Sequence, residues 1–506
     1  MRRHSGLVLA LLLLAPVVRA ADAPSGGEAR AALLKAVHFY HKQVADRGGY
    51  VWRYSADLKL REGEGVAPPG TVWVQPPGTP AVGEAFLDAF EATGEQSCLD
   101  AARDAGQALA LGQLHSGGWN YRIEFGDKRK EFSYRFDLDW QPLPDPAAGD
   151  RSTTGWDAWK RRKYRKNQTV LDDDTTQAAT RFLVRLDKAL SLADPKAHAA
   201  ADIGLASLLK SQYPNGAWSA NYDRVTDSPP PADLYPVKKA DYPPDWPRTW
   251  PKDFTGCYVT NDDLMSDCVT TMLLAWEAYG DERYLASAKR AGDFLLLAQM
   301  PEPQPAWAQQ YDKDMHPVWS RAFEPPAISG GESQGILRTL LALYRATGDE
   351  KYLRPVPAAV EYLRRSRLPD GRLARFYELR TNRPIYMVRD ADRRYHITYD
   401  GTDKRIATHY AFTVGSDLAQ IEKGYRRVKE SGVHERKRED AKPEMSASLA
   451  AKARSVIDSL EERGAWVEQG RLRGFDEAPA GGVIDSETFC ENVGVLSRFL
   501  RATAKN

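Results

Sequence analysis

The chain has 506 residues, 70 Lys and Arg against 69 Asp and Glu, and 42% hydrophobic residues. That length holds two to four ordinary domains or one large repetitive one, with ample material for a core. Balanced charge excludes a strongly basic nucleic-acid binder, and a single apolar run excludes a transmembrane bundle.

The apolar run, Gly6–Val18, follows Arg2 and Arg3 and precedes Val-Arg-Ala-Ala at 18–21. A basic start, a short apolar stretch and a small-residue exit predict a signal peptide over 1–20, cut after Ala20. The expected mature protein is secreted or periplasmic, free of the membrane and slightly acidic. Without Arg2, Arg3 and Arg19 its basic groups fall to 67 against 69 acidic.

From residue 33 onward the sequence repeats. Each unit opens with an amphipathic helix, turns at Gly with a polar or acidic neighbour, runs a second helix and ends in a Gly/Asn/Trp-rich loop. First helices and turns read AFLDAFEATGEQSCL (85–99), TTMLLAWEAYGDERYL (270–285) and GILRTLLALYRATGDEKYL (335–353), with a variant turn over 176–198. Second helices are predicted at 101–114, 199–212, 288–300 and 357–367. Their loops read SGGWNY (116–121), PNGAWSANY (214–222), PQPAWAQQY (303–311) and PDGRLARFY (369–377). Apolar residues at i, i+3, i+4 and i+7 give each helix one buried face. Gly in the turns supplies a left-handed helix end, and the following Asp starts the next helix. Long antiparallel hairpins predict an all-α chain, an α/α toroid or incomplete barrel with irregular loops gathered on one face. The division expected is a body over 21–427, a charged linker over 428–446 and a C-terminal helical segment over 447–506 packing on the toroid. An open α-solenoid is the alternative.

Two excursions interrupt the repeat: 126–170, with six basic groups in Lys160–Lys166, and the proline-rich 223–256 with Trp246 and Trp250. Four cysteines, Cys98, Cys257, Cys268 and Cys490, allow two disulfides in an exported chain, with Cys257–Cys268 the favoured bridge.

Asn261-Asp262-Asp263 stands just before a helix, where carboxylates and an amide suit a hard cation such as Ca²⁺. N-capping explains the same triplet, and equally Asp172-Asp173-Asp174. Trp307, Gln309, Tyr311 and Asp312, followed by Trp319, Arg321 and Glu324, suit a sugar site; packing of aromatics against the repeat explains them as well. Arg372–Tyr377, Arg380 and Arg383 offer planar, bidentate carboxylate recognition. No HExxH, Walker A, GxSxG or Cys–His motif occurs, so neither a nucleotide nor a redox cofactor is expected.

The runs LDDDTTQAATRFL (171–183), QYPNGAW (212–218), VTNDDLM (259–265), PQPAWAQQYDKDMHPVWSRAFEPPAIS (303–329) and ARFYELRTNRPIY (374–386) resemble polysaccharide lyase family 10 pectate lyases. The likeness spans most of 30–400 in order; the loop Asn215-Gly216-Ala217-Trp218-Ser219 departs from the family pattern. The resemblance implies an α/α toroid and Ca²⁺-assisted β-elimination of polygalacturonate or pectin oligosaccharides. By the same resemblance Asp263 and Asp312 are metal ligands, Asp262 belongs to the active face and Arg375 is the catalytic base. Arg321, Arg380 and Arg383 are expected to clamp uronate carboxylates, with Trp307 and Tyr311 stacking on sugar. A monomer without nucleic-acid partners is expected. The rival readings are an inverting hydrolase using Asp173, Asp262 and Glu324, or a non-catalytic pectin-binding scaffold.

Overall fold

The computed structural model describes residues 23–145, 167–223, 232–252, 258–431, 443–476, 479 and 481–504. The signal-peptide reading, Cys257 and the Lys160–Lys166 run lie outside them. Among the described residues no helix is long and apolar enough to cross a membrane.

Twelve α-helices are present among the described residues. They are α1 (Gly26–Phe39), α2 (Thr79–Thr93), α3 (Gln96–Leu111), α4 (Thr175–Ala189), α5 (Pro195–Ser211) and α6 (Leu264–Tyr279). The chain continues with α7 (Glu282–Ala298), α8 (Glu332–Thr347), α9 (Val356–Arg365), α10 (Leu418–Ser431), α11 (Ala447–Asp458) and α12 (Ser486–Thr503). Even-numbered helices pack side by side in the order α12, α2, α4, α6, α8, α10 and form an inner layer. Odd-numbered helices lie outside: α1 on α12 and α2, α3 on α2, α5 on α4, α7 on α6, α9 on α10 and α11 on α12. This is an α/α toroid.

The two ends of the chain meet within it. α12 stands between α1 and α2, so 447–506 supplies ring members and not an appendage. The charged stretch predicted as a linker also starts too early: 428–431 is the last turn of α10, and Val428 is buried there.

The helix stops follow the turn chemistry. Gly94, Gly280 and Gly348 end α2, α6 and α8 at φ 70°, 70° and 71°, a conformation costly to residues with a Cβ. The carboxylates of Asp281 and Asp349 then accept from the N–H groups of Arg283 (2.9 Å) and Lys351 (3.0 Å) and start the following helical turns.

Short strand pairs, too brief for an alternation signal, close the hairpins at one end. The strand before α2 pairs with the one after α3 (Thr71–Trp73 with Arg122–Glu124). Thr169–Val170 before α4 pairs with Asn221–Tyr222 after α5, and Tyr258–Val259 before α6 with Gln310–Tyr311 after α7. Ala327–Ser329 before α8 pairs with Phe376–Glu378 after α9. Every outer-helix loop is thereby tied to the N-terminal end of its own inner helix. This end carries the site.

The loop tryptophans are anchors. Indole N–H groups of Trp119, Trp218 and Trp466 donate to the carbonyls of Leu109, Leu208 and Val456, each ten residues upstream at the end of an outer helix. Trp307 does the same to Leu295 at 2.8 Å and is fully buried. Tyr311 is also buried, its hydroxyl donating to Ala298 O and accepting from Ala308 N. Neither ring is exposed to stack on a sugar, so both predicted substrate contacts are corrected to structural roles. Exchanging Trp307 for Phe removes a buried hydrogen bond and should cost about 1–3 kcal/mol. Thermal unfolding should report that loss while KM stays unchanged; a raised KM with unchanged stability would restore the stacking role.

The expected cysteine pairing is likewise corrected. Cys98, Cys268 and Cys490 are free thiols. Cys268 lies inside α6, fully buried in the helix packing.

Candidate active site

Two inner helices begin with the same unusual turn. Asp173 and Asp174 before α4 have φ 51° and 55°; Asp262 and Asp263 before α6 have φ 48° and 57°. Consecutive left-handed residues cost roughly 1–2 kcal/mol each, least for Asp and Asn. Capping does not account for them, because neither Asp174 nor Asp263 gives its helix a side-chain cap bond. Such strain persists where the surroundings fix the side chains for another purpose. Here the two turns lie side by side and project acids toward each other.

Among the described residues, carboxylate oxygens of Asp172, Asp173 and Asp262 lie within 4.8 Å of one another. Burial first, then the neighbouring carboxylates of Asp172, Glu332 and Asp173, push Asp262 up to about 8, with Arg321 pulling the other way. Burial and Asp172 push Asp173 up to about 7. The group is short of positive charge. Three oxygen donors at this mutual spacing fit a hard divalent cation, whose oxygen ligands sit about 2.3–2.6 Å from the ion. Asn261 adds a buried Oδ1 with no hydrogen-bond partner, its amide nitrogen being committed to Asp262.

Arginines flank the acids. Arg321 pairs with Glu324, which is almost fully buried, and reaches Asp262 Oδ2 at 3.8 Å. Its loop is clamped by the proline-rich excursion, where Trp319 donates to Pro247 O and Trp250 to Ser320 O. Arg375 stands immediately before Phe376–Glu378, the strand after α9 that pairs with Ala327–Ser329. Its Nε donates to Ala411 O at 2.7 Å, and Nη1 meets Tyr410 Oη at 3.3 Å and Glu332 Oε1 at 3.4 Å. Burial lowers the Arg375 pKa, but Glu332, Tyr410 and Asp262 more than offset it, so the guanidinium is held charged in the metal-free protein.

Tyr410 joins the two arginines. Its ring lies under Arg375 at 4.7 Å and Arg321 at 5.8 Å, while its hydroxyl donates to Glu324 Oε1 at 3.2 Å. Gln309 donates to both Glu332 and Tyr410. Sequence reasoning missed Tyr410 and Glu332, which sit in no motif; Asp172 and Asp173 were visible as a cation site or a cap, and Asp173 also as a hydrolase carboxylate.

Other predicted residues fall elsewhere. Asp263 turns toward α8, where Gly335 makes room for it: a Cβ there would come within 1.9 Å of Asp263 Oδ1. Asp312 accepts from the N–H groups of Asp314 and His316 and stabilises its own turn. Among the described residues the acids close enough together to hold a metal ion are Asp172, Asp173 and Asp262, and neither Asp263 nor Asp312 is among them. Arg380 stacks on Tyr242 and bonds Pro243 O, and Arg383 lies over Tyr399 at 3.4 Å. Both belong to a separate aromatic patch whose partners are not shared with the acid group.

Beside the acids lies a cavity of about 400 Å³ lined by Asp172, Arg321, several amides, Tyr121 and Trp250.

Residues 302–373 match the family model described as pectic acid lyase. The segment relates the chain to pectate lyases and includes Gln309, Arg321, Glu324 and Glu332. No curated protein sequence matches. Among solved structures the chain is similar to a mutant family 10 polysaccharide lyase from Cellvibrio cellulosa in complex with trigalacturonic acid. That likeness has 18% identity, 69% of this chain, 98% of that one and a TM-score of 0.39. It is similar also to a D-mannose isomerase, at 14% identity, 95% and 99% coverage and TM-score 0.46. A cellobiose 2-epimerase from Bacillus thermoamylovorans gives 11%, 94% and 98%, and 0.46. These likenesses choose no reaction.

Proposed function

We propose that the protein is a pectate lyase that cleaves polygalacturonate by calcium-assisted β-elimination. The observation that carries the reading is the grouping of Asp172, Asp173 and Asp262 beside Arg321 and Arg375. The matched pectic acid lyase segment supports it.

The chemical difficulty is that the C5 proton of a uronate is barely acidic while the adjacent carboxylate is already negative. Charge must be neutralised as it moves toward an enolate. Asp172, Asp173 and Asp262 would hold the calcium ion, which when bound supplies Lewis-acid stabilisation of the uronate carboxylate. Arg321, oriented by Glu324, adds positive charge on the cleft side. Arg375 receives the C5 proton; the C–H electrons form the C4–C5 double bond, the C4–O bond breaks, and the departing oxygen takes a proton from water. Arg375 serves as a base only when its guanidinium is neutral. Burial favours the neutral form, and neutralising Asp262 removes one of the charges that oppose it.

An inverting hydrolase built on Asp173 and Asp262 as its carboxyl pair fits less well. Its two carboxyl groups stand roughly 6.5–9.5 Å apart to admit water, whereas the oxygens of Asp173 and Asp262 are within 4.8 Å. Incubation with polygalacturonate should produce an ultraviolet-absorbing unsaturated uronide, and a chelator should stop it. New reducing ends without that absorbance would replace the reading with hydrolysis.

A further inference from the structure

Three guanidiniums gather away from the acid group, and each lies over an aromatic ring. Arg248 is 3.7 Å from the centre of the Trp246 ring, Arg380 5.3 Å from that of Tyr242, and Arg383 3.4 Å from that of Tyr399. All three arginines are exposed. A ring against a guanidinium occupies its face and leaves the N–H groups at its edge to donate in the plane.

Few of those N–H groups are used. Arg248 donates to Trp246 O at 2.7 Å and Arg380 to Pro243 O at 3.3 Å. The Arg383 side chain has no hydrogen-bond partner among the described residues. The carboxylate nearest the group, Glu378, is 4% exposed, and its two oxygens already accept from the hydroxyls of Tyr399 and Thr381. Arg248 Nε stays 3.8 Å from it. Asp245 lies 3.7 Å from Arg248 but is almost fully exposed, where a pair contributes little. Among the described residues neither Arg380 nor Arg383 has a carboxylate at ion-pair distance.

Both segments of this surface lead to the acid group. Arg380 and Arg383 stand on the turn that leaves Phe376–Glu378, the strand that begins next to Arg375. Arg380 is five residues beyond Arg375, a reach of at most about 18 Å. Arg248 stands two residues before Trp250, which lines the cavity beside the acids. The bonds from Trp319 to Pro247 O and from Trp250 to Ser320 O hold that segment against the Arg321 loop. A linear sugar chain leaving Arg321 and Arg375 in this direction meets the three arginines within a few units.

We propose that Arg248, Arg380 and Arg383 form an outlying carboxylate-binding surface for a polyuronate chain, engaging ionised units remote from the bond that breaks. The inference deepens the lyase reading and rests on it for the identity of the chain. Guanidinium edges fixed by stacking match carboxylates bidentately, and carboxylates repeated along one chain make the second contact intramolecular. A chain that spans both places is held more tightly than one that fills only the acid site.

Binding separates this inference from the reaction. Calorimetric titration of the intact protein would compare trigalacturonate, hexagalacturonate and the fully methyl-esterified hexamer, with a chelator present to prevent turnover. The ionised hexamer should bind about ten-fold more tightly than the trimer, and Arg383→Gln should remove most of that gain. The same change should leave the affinity of the esterified hexamer as it was. Arg248→Gln tests the surface from its other segment should Arg383→Gln fail to fold. No loss for the ionised hexamer, or an equal loss for the trimer or the esterified hexamer, would overturn the surface. Absence of unsaturated product from the unaltered protein with calcium would instead overturn the lyase reading, and the binding order would still decide the surface.

Discussion

Replacing Arg375 with alanine should lower the rate of unsaturated-uronide formation by about 10³-fold. The expectation follows from position. Arg375 is the guanidinium fixed from three directions, by Ala411 O, Tyr410 and Glu332, at the edge of the acid group. Proton transfer in a transition state tolerates little displacement, so the group holding that position carries the effect. Stability needs separate treatment. Glu332 is 4% exposed and would lose a cation, although Gln309 and the Ser329 hydroxyl still donate to it. Leaving a buried carboxylate without its cationic partner lowers stability by about 1–3 kcal/mol. Arg375→Lys keeps a charge near Glu332 but not the fork that reaches Ala411 O and Tyr410 together. It should therefore recover most of the stability and little of the rate. Full activity in Arg375→Ala would remove this residue from the chemistry.

The helices were legible because their signal is dense. Four or five apolar positions mark each buried face, and Gly94, Gly280 and Gly348 punctuate the hairpins with a conformation other residues resist. What brings the two ends of the chain together was not. The pairing of α12 with α1 and α2 joins residues more than 400 positions apart, and the strand pairs that tie loops to inner helices are two or three residues long. Trp307 and Tyr311 show the same limit at side-chain scale. An aromatic residue among polar ones reads alike whether its ring faces a cleft or a helix end; only the bonds to Leu295 and Ala298 separate the two.

The site divides along similar lines. Arg375 was reached through resemblance, and the physical reading of the two acid triplets left cation binding and capping both open. Their second role depends on the α4 and α6 turns standing next to each other, a consequence of ring packing. Asp312 carries a local alternative in its sequence: the N–H groups of residues 314 and 316 are within reach of its carboxylate. Glu332 lies inside the matched segment and Tyr410 beyond it, and neither carries a pattern of its own.

The second large effect is expected at Asp262, and it changes sign with calcium. In the metal-free protein Asp262 titrates at about 8, against about 4 when exposed. Between those values the folded protein binds a proton that the unfolded chain has released. Stability from this group therefore falls as pH rises from about 4 to 8, and the full penalty is present above 8. Asp262→Asn removes the penalty, so at pH 8.5 and without calcium the variant should unfold about 2–4 °C higher than the unaltered protein. Calcium reverses the ranking. Binding requires the ionised carboxylates, so it should release protons, strengthen between pH 6 and 8.5, and raise the melting temperature most at the alkaline end. The Asn variant lacks one of three charged ligands and should need roughly 10–100-fold more calcium for the same shift. Asp312→Asn, which alters only its own turn, should leave the calcium response in place. If Asp312→Asn abolished the response and Asp262→Asn did not, the ion would belong to the loop after Tyr311 and not to the paired turns.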